Sequence, residues 1–119
     1  MRFSAGILYE ANAQYLLLQR SGSGLWSIPG GGIESVDQSL WDTAVRETEE
    51  ETGTAPRGKK RGEVTCHKGS SQYTTFLISV AYPFQVQLNH EHSDWGWFGA
   101  KQIKRLRLHP GLCAAGLIR

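Results

Sequence analysis

Arg46-Glu47-Thr48-Glu49-Glu50-Glu51-Thr52-Gly53-Thr54 is the stretch on which both the fold and the chemistry turn. Glu47, Glu50 and Glu51 stand at i, i+3 and i+4, so on a helix their carboxylates project from one face. Like charges at these spacings destabilise a helix by roughly a few tenths of a kcal/mol per pair, and acids in a last turn also oppose the helix dipole. Most acidic helix faces are simply solvated. The alternative compensation is a hard divalent cation, and magnesium binds through a few carboxylates together with water and phosphate oxygens. Arg46, four residues before Glu50, can add a charge-assisted hydrogen bond.

Upstream, the chain from Ser39 to Thr52 contains no Gly or Pro and carries Leu40, Ala44 and Val45 at helical spacing. Gly53 stands where a helix commonly ends, so the pattern predicts one helix of about 14 residues, roughly 20 Å long. Ser39 is its candidate cap, although Asp42 replaces the Glu or Gln of a full capping box. Before the helix, 21–32 is rich in glycine, holds Pro29, and is interrupted by the apolar Leu25-Trp26-Ser27-Ile28, so it reads as a turn-rich loop. Gly30-Gly31-Gly32 lets backbone pass close to a ligand or to the helix.

Further out, Phe3 to Leu8 and Tyr15 to Gln19 read as antiparallel strands joined through the polar residues 10–14. After the helix, a basic loop (Arg57, Lys59, Lys60, Arg61) leads to expected strands at Glu63–His67, Tyr73–Val80 and Phe84–Leu88, with a turn at Gly69-Ser70-Ser71. Trp97-Phe98 marks a last strand, and Lys101 to Leu106 looks helical until His109-Pro110-Gly111 interrupts it.

Gly32 through Thr54 resembles the Nudix box, G-x(5)-E-x(7)-R-E-U-x-E-E-x-G-U with U apolar. Arg46 to Thr54 fills its second half, and Leu16-Leu17-Leu18-Gln19-Arg20 and Leu25 to Gly31 resemble the strand and loop that precede the box. The resemblance covers roughly residues 3 to 98. Two departures stand out. Thr48 and Thr54 replace apolar residues, and counting back from Arg46 puts Gln38 at the first glutamate position, whereas counting forward from Gly31 puts Asp37 there with one residue inserted.

The resemblance implies an α/β fold, an α/β/α sandwich with a mixed sheet, and a Nudix-type pyrophosphohydrolase that cleaves a diphosphate linkage in a nucleoside triphosphate or other nucleoside diphosphate derivative. It implies Mg2+ (or Mn2+) held by Glu47, Glu50, Glu51 and Glu91, with Arg46, Glu47, Glu50 and Glu91 as catalytic candidates. Gly31, Gly32, Arg20 and Trp26 are the substrate-binding candidates. The acidic residue at the head of the box supports loop and helix. Hydrolysis at phosphorus requires neutralised phosphoryl oxygens, a positioned water and a base.

Glu91 comes from Asn89-His90-Glu91-His92-Ser93-Asp94, a polar loop that resembles the late acidic loop of the family and otherwise reads as solvated. His90 and His92 with Asp94 could bind zinc, but no cysteine or third spaced histidine supports a closed structural site. Trp26, Tyr73, Trp95 and Trp97 are available to stack on a base, though aromatic residues in strands more often fill cores.

The 119 residues, 39% of them hydrophobic, suit one domain over 1–119. Thirteen Lys and Arg against 11 Asp and Glu leave a net charge of +2, too small to argue for nucleic acid, and no stable nucleic-acid partner is expected. Cys66 and Cys113 stand far apart in no metal-ligand spacing and supply no disulfide framework, so a reducing, cytoplasmic setting is the default expectation. No secretory signal or membrane-length apolar run is apparent. The expected partner is a nucleotide-like small molecule, and the expected state is a monomer or homodimer. Two rival readings remain: a non-catalytic nucleotide-binding module of the same fold, and a nucleic-acid-binding domain using the basic run and residues 101–107, whose affinity would fall steeply with salt.

Overall fold

Along Ile7-Leu8-Tyr9 and Leu16-Leu17-Leu18 every residue is buried, which a strand achieves only when both faces of its sheet are covered. Successive side chains enter two different cores. Ile7, Tyr9, Leu16 and Leu18 join Ala44 of the long helix on one face, while Leu8, Leu17 and Tyr15 join Ile103 and Ala114 of the carboxy-terminal segment on the other. The computed structural model describes residues 1–118 of the chain.

Element order is β1 (Arg2–Ala11), β2 (Gln14–Arg20), β3 (Trp26–Ser27), β4 (Gly30–Gly32), α1 (Leu40–Thr52), β5 (Lys59–Lys68), β6 (Ser71–Ser79), β7 (His92–Gly99), α2 (Ala100–Ile103) and a short 3-10 helix at Ala114–Leu117. Among the described residues these strands form a seven-stranded mixed sheet in the order β3-β2-β1-β6-β5, with β4 on β1 and β7 on β2. β1 and β6 run parallel, and the remaining pairings of β1 are antiparallel. With α1 over one face and the α2 segment over the other, this is the α/β/α sandwich that the resemblance implied. Among the described residues, no helix is long and apolar enough to cross a membrane.

The helix boundaries follow their chemistry. Ser39 Oγ accepts the Asp42 N–H at 3.1 Å, and Gly53 ends the helix in the left-handed region (φ 82°), where its N–H reaches Glu49 O at 2.9 Å. The first hairpin is tighter than the polar stretch 10–14 suggests. Only Asn12 and Ala13 turn the chain, both at positive φ (52° and 62°), as a two-residue hairpin turn demands.

Three expectations need correction. Phe84–Leu88 is no strand. Phe84, Val86 and Leu88 do pack alternately onto the α1-side core, with Gln85 and Gln87 exposed, but this extended run has no ladder partner among the described residues. Lys59 to Arg61 are the start of β5, where the register against β6 shifts between Lys60 and Gly62, and only Arg57 and Gly58 precede the strand. The expected 101–106 helix shortens to Ala100–Ile103 followed by turns.

Cys66 and Cys113 are bonded to each other across a Cα–Cα distance of 6.1 Å. Their 47-residue separation is closed through space, as β5 lies against β6 and the carboxy-terminal segment crosses the sheet to meet it. The sequence alone disclosed no such link, because nothing in the spacing of two distant cysteines shows that they meet.

Candidate active site

Gly30–Gly32 forms β4, paired antiparallel to β1 at Gly6, Ala5 and Ser4, and α1 passes directly over it. A Cβ at Gly31 would lie 2.5 Å from Glu47 Cδ, so this glycine is what lets the Glu47 carboxylate rest against the strand. Gly30 donates its N–H to Glu51 Oε1 at 3.3 Å. Glu51 is only 3% exposed. Burial and the neighbouring Glu47 and Glu91 push its carboxyl up from 4.5 to about 8, against the opposing Gly30 hydrogen bond. Glu47 is raised as well, by burial first and then by Glu50.

Arg46 organises the other side of this cluster. Its Nε and Nη2 bind Asp37 Oδ1 and Oδ2 at 3.0 and 2.8 Å, its Nη2 also reaches Gly32 O at 3.0 Å, and its Nη1 lies 3.3 Å from Glu47 and 3.4 Å from Glu50. Asp37 further accepts the Glu34 N–H and the Thr43 hydroxyl, both at 2.9 Å, and its side chain is 2% exposed. The Arg46 guanidinium, with these further donors, holds the Asp37 carboxyl well below the usual carboxylate range despite its burial. The residue that braces the loop against the helix is therefore Asp37, with one residue inserted before Arg46. Among the described residues Gln38 has only a backbone link, its N–H to Asp42 Oδ2 at 2.9 Å.

The late loop is pinned on two sides. Ser21 N–H and Oγ donate to the carbonyls of Glu91 and His90, each at 2.9 Å. Asn89 Nδ2 donates to the Glu50 carbonyl of α1 at 3.0 Å and to Glu91 Oε2 at 3.2 Å, while Asn89 Oδ1 accepts the Glu91 N–H at 3.0 Å. Asn89 thus sets Glu91 against the helix, a role that sequence reading missed because its partner lies 39 residues away. His92 Nε2 is 3.9 Å from Glu51 Oε1, and its buried Nδ1 has no partner among the described residues. Burial lowers the His92 pKa, so His92 and Glu51 are both driven toward their uncharged forms.

Beside this cluster opens a cavity of about 220 Å³, walled by Arg20, Ser27, Ile28, Gly30, Gly31, Glu51, Tyr73, Glu91, His92, His109, Gly111 and Leu112. Of the substrate-binding candidates, Arg20 and Gly31 reach it. Gly32 stands outside as the Arg46 anchor, and Trp26 is turned into the core, its ring edge-on to Phe98 with centroids 5.1 Å apart. Trp97 likewise packs on Phe84 and donates Nε1–H to its carbonyl at 3.0 Å. Tyr73 is the aromatic residue that lines the cavity.

Among the described residues, no three His, Cys, Asp or Glu side chains are grouped closely enough, as they stand, to hold a metal ion. The donors nevertheless fit a hard cation. They are all carboxylate oxygens, and burial and mutual repulsion raise the two set against the glycine strand, Glu47 and Glu51. An open carboxylate set completed by water and phosphate oxygens is the way magnesium is usually held.

The NUDIX domain family profile matches residues 2–112. The chain belongs to the Nudix hydrolase family. It is 30% identical over 109 residues to a putative 8-oxo-dGTP diphosphatase 3 of Mycobacterium tuberculosis, a match that spans 86% of this chain and 50% of that protein. It is 32% identical over 93 residues to the asymmetrical bis(5'-nucleosyl)-tetraphosphatase of Caenorhabditis elegans, spanning 71% of this chain and 66% of the relative. The Nudix chain thus accounts for about half to two-thirds of the length of these curated relatives. Among solved structures, the Nudix hydrolase RenU of M. smegmatis superposes with a TM-score of 0.81 at 26% identity, covering 94% of this chain and 79% of its own. A C. elegans Ap4A hydrolase shares the fold with a TM-score of 0.79 at 23% identity, covering 100% and 93%.

Proposed function

We propose that this Nudix chain is a pyrophosphohydrolase that cleaves a diphosphate linkage in a nucleoside triphosphate or other nucleoside diphosphate derivative, with Mg2+ or Mn2+ as cofactor. The observation that carries the proposal is that Glu51 and Glu91 line a cavity with Arg20, while Glu47 rests against the glycine strand and Glu50 follows on the same helix face. Curated relatives named for nucleotide diphosphatase and tetraphosphatase activities support the substrate class.

Glu47, Glu50, Glu51 and Glu91 are the residues that would hold the cation. When bound, such an ion neutralises phosphoryl oxygens and lowers the pKa of bound water. Arg20 brings positive charge to the cavity that Glu51 and Glu91 also line, which suits an anionic phosphate chain. Gly31 keeps the strand free of a side chain where Glu47 sits. Arg46, bound to Asp37, Gly32, Glu47 and Glu50, acts as a positioning residue. Glu91, exposed and oriented by Asn89, is the candidate for a further metal ligand or for the base that accepts the proton of the attacking water.

The test is a nucleotide panel with product identification, run with and without added Mg2+ or Mn2+. Glu50→Gln and Glu91→Gln should each lower turnover by about 100-fold or more without unfolding the protein, the range for loss of a positioned acid or base. Full turnover after exhaustive chelation, or wild-type rates in both variants, would refute the proposal. Tight nucleotide binding with no turnover would point to the non-catalytic binding module instead.

A further inference from the structure

The cavity has two unlike walls. α1 with its carboxylates covers one face of the sheet, and the carboxy-terminal segment carrying Leu108 and Leu112 packs on the opposite face. If the diphosphate lies at the carboxylates, as proposed above, the remainder of the substrate extends toward the second wall. Ile28, Tyr73 and Leu112 there offer apolar and aromatic surface for a flat ring, and His109 is the polar group among them.

His109 is held unusually firmly. Its N–H donates to Trp26 O at 2.8 Å, Trp26 N–H donates to Arg107 O at 2.8 Å, and Leu108 forms a parallel bridge with Trp26. On the other side, Leu112 N–H donates to His109 O at 2.9 Å, and Cys113 is bonded to Cys66 on β5. The ring itself is oriented by Gly111, whose N–H donates to His109 Nδ1 at 2.9 Å. A Cβ on Gly111 would lie 3.0 Å from Nδ1 and Cε1, so a glycine suits this close approach. His109 Nε2 has no hydrogen-bond partner among the described residues. An imidazole that accepts at Nδ1 carries its proton at Nε2 when neutral. Burial first, then Arg20 and Lys68, disfavour the charged form of His109.

We propose that His109 is a specificity-determining residue whose Nε2–H donates to an exocyclic keto oxygen of the nucleobase, so that the site prefers a keto to an amino group at that ring position. This inference rests on the nucleotide reading of the same cavity. An amino group there would set donor against donor and leave both unpaired in a partly desolvated site. Sites built to hydrogen-bond a substrate group discriminate most strongly against the analogue that cannot respond.

The test compares inosine triphosphate with adenosine triphosphate, a 6-keto and a 6-amino purine, on the full chain with Mg2+. Wild type should favour the keto substrate in kcat/KM by about 10-fold or more, and His109→Ala should erase most of that preference, chiefly through KM. His109→Gln, which keeps an amide donor, should restore part of it. Equal losses for both nucleotides in His109→Ala, or no preference in wild type, would overturn the assignment. Calorimetric binding of the same two nucleotides to wild type and to Glu50→Gln separates the two proposals. Keto-selective binding without wild-type turnover would sink the hydrolase reading and keep the role of His109. Turnover without selectivity would do the reverse, and no nucleotide binding at all would sink both.

Discussion

Replacing Gly31 with alanine tests the site with a single methyl group. The added Cβ would lie 2.5 Å from Glu47 Cδ and 2.6 and 2.7 Å from its two carboxylate oxygens. Ordinary van der Waals contact begins near 3.4 Å, so the carboxylate must retreat by roughly 0.9 Å. Because the obstructing atoms end a flexible side chain, the fold should absorb the change, and the unfolding midpoint should move by no more than about a few degrees. Catalysis should not absorb it, since a misplacement near 1 Å can lower a rate by about 100-fold. The neighbouring glycines set the scale on both sides. At Gly32 a Cβ meets nothing closer than Phe3 O at 4.0 Å, so Gly32→Ala should keep activity within about threefold of wild type. At Gly30 it would strike the Tyr73 hydroxyl and lie 2.7 Å from Ala5 O and 2.8 Å from Gly6 Cα, so Gly30→Ala should fail to fold stably. The assay is kcat/KM across a Mn2+ titration, with thermal unfolding of each variant in parallel. Gly31→Ala with near-wild-type turnover and unchanged metal dependence, or an equal loss in Gly32→Ala, would refute the claim that Glu47 works where this strand places it.

Asp37→Asn should lower both the unfolding midpoint and turnover more than Gln38→Ala, because Asp37 accepts from Arg46, Glu34 and Thr43 while Gln38 offers its backbone N–H to Asp42. Since the Asp37 carboxyl is depressed by Arg46, its stabilisation is present above the unfolded pKa near 3.8 and is lost only in strong acid, as an acid-unfolding curve of the two variants would show. Glu51 has the opposite sign. Raised from 4.5 to about 8, it retains in the folded state a proton that the unfolded chain releases, so the metal-free protein should lose stability as pH rises through that window. Denaturant titrations should find that slope flattened by Glu51→Gln or by Mn2+, and an unchanged slope in Glu51→Gln would count against the assignment. Reducing the Cys66–Cys113 bond, which closes a 47-residue separation, should lower stability by up to about 4 kcal/mol on the loop-entropy estimate, read as the difference between denaturation curves with and without reductant.

What the chain disclosed unaided was whatever depends on local spacing. The α1 boundaries were legible because Ser39, an uninterrupted run free of Gly and Pro, and Gly53 act within a few residues of one another. The shared face of Glu47, Glu50 and Glu51 follows from 3.6 residues per turn alone. Period-two alternation at residues 84–88 showed truthfully that the chain is extended, but it carries no information about whether a partner strand is present, and among the described residues none pairs. The register of the box was ambiguous for the same reason. Asp37 and Gln38 are one residue apart, and only the hydrogen bonds converging on Asp37 from Arg46, Glu34 and Thr43 distinguish them. Trp26 was the substrate-binding candidate and Tyr73 only one of several aromatic residues available to stack, until sheet pairing turned the first into the core and the second toward the cavity. Asn89 beside Glu50, His109 across the cavity from α1, and Cys66 against Cys113 are meetings between distant segments. They arise because β6 runs parallel to β1 and the carboxy-terminal segment crosses the opposite face, and contacts made by packing across a sheet leave no periodic trace in the order of the residues that make them.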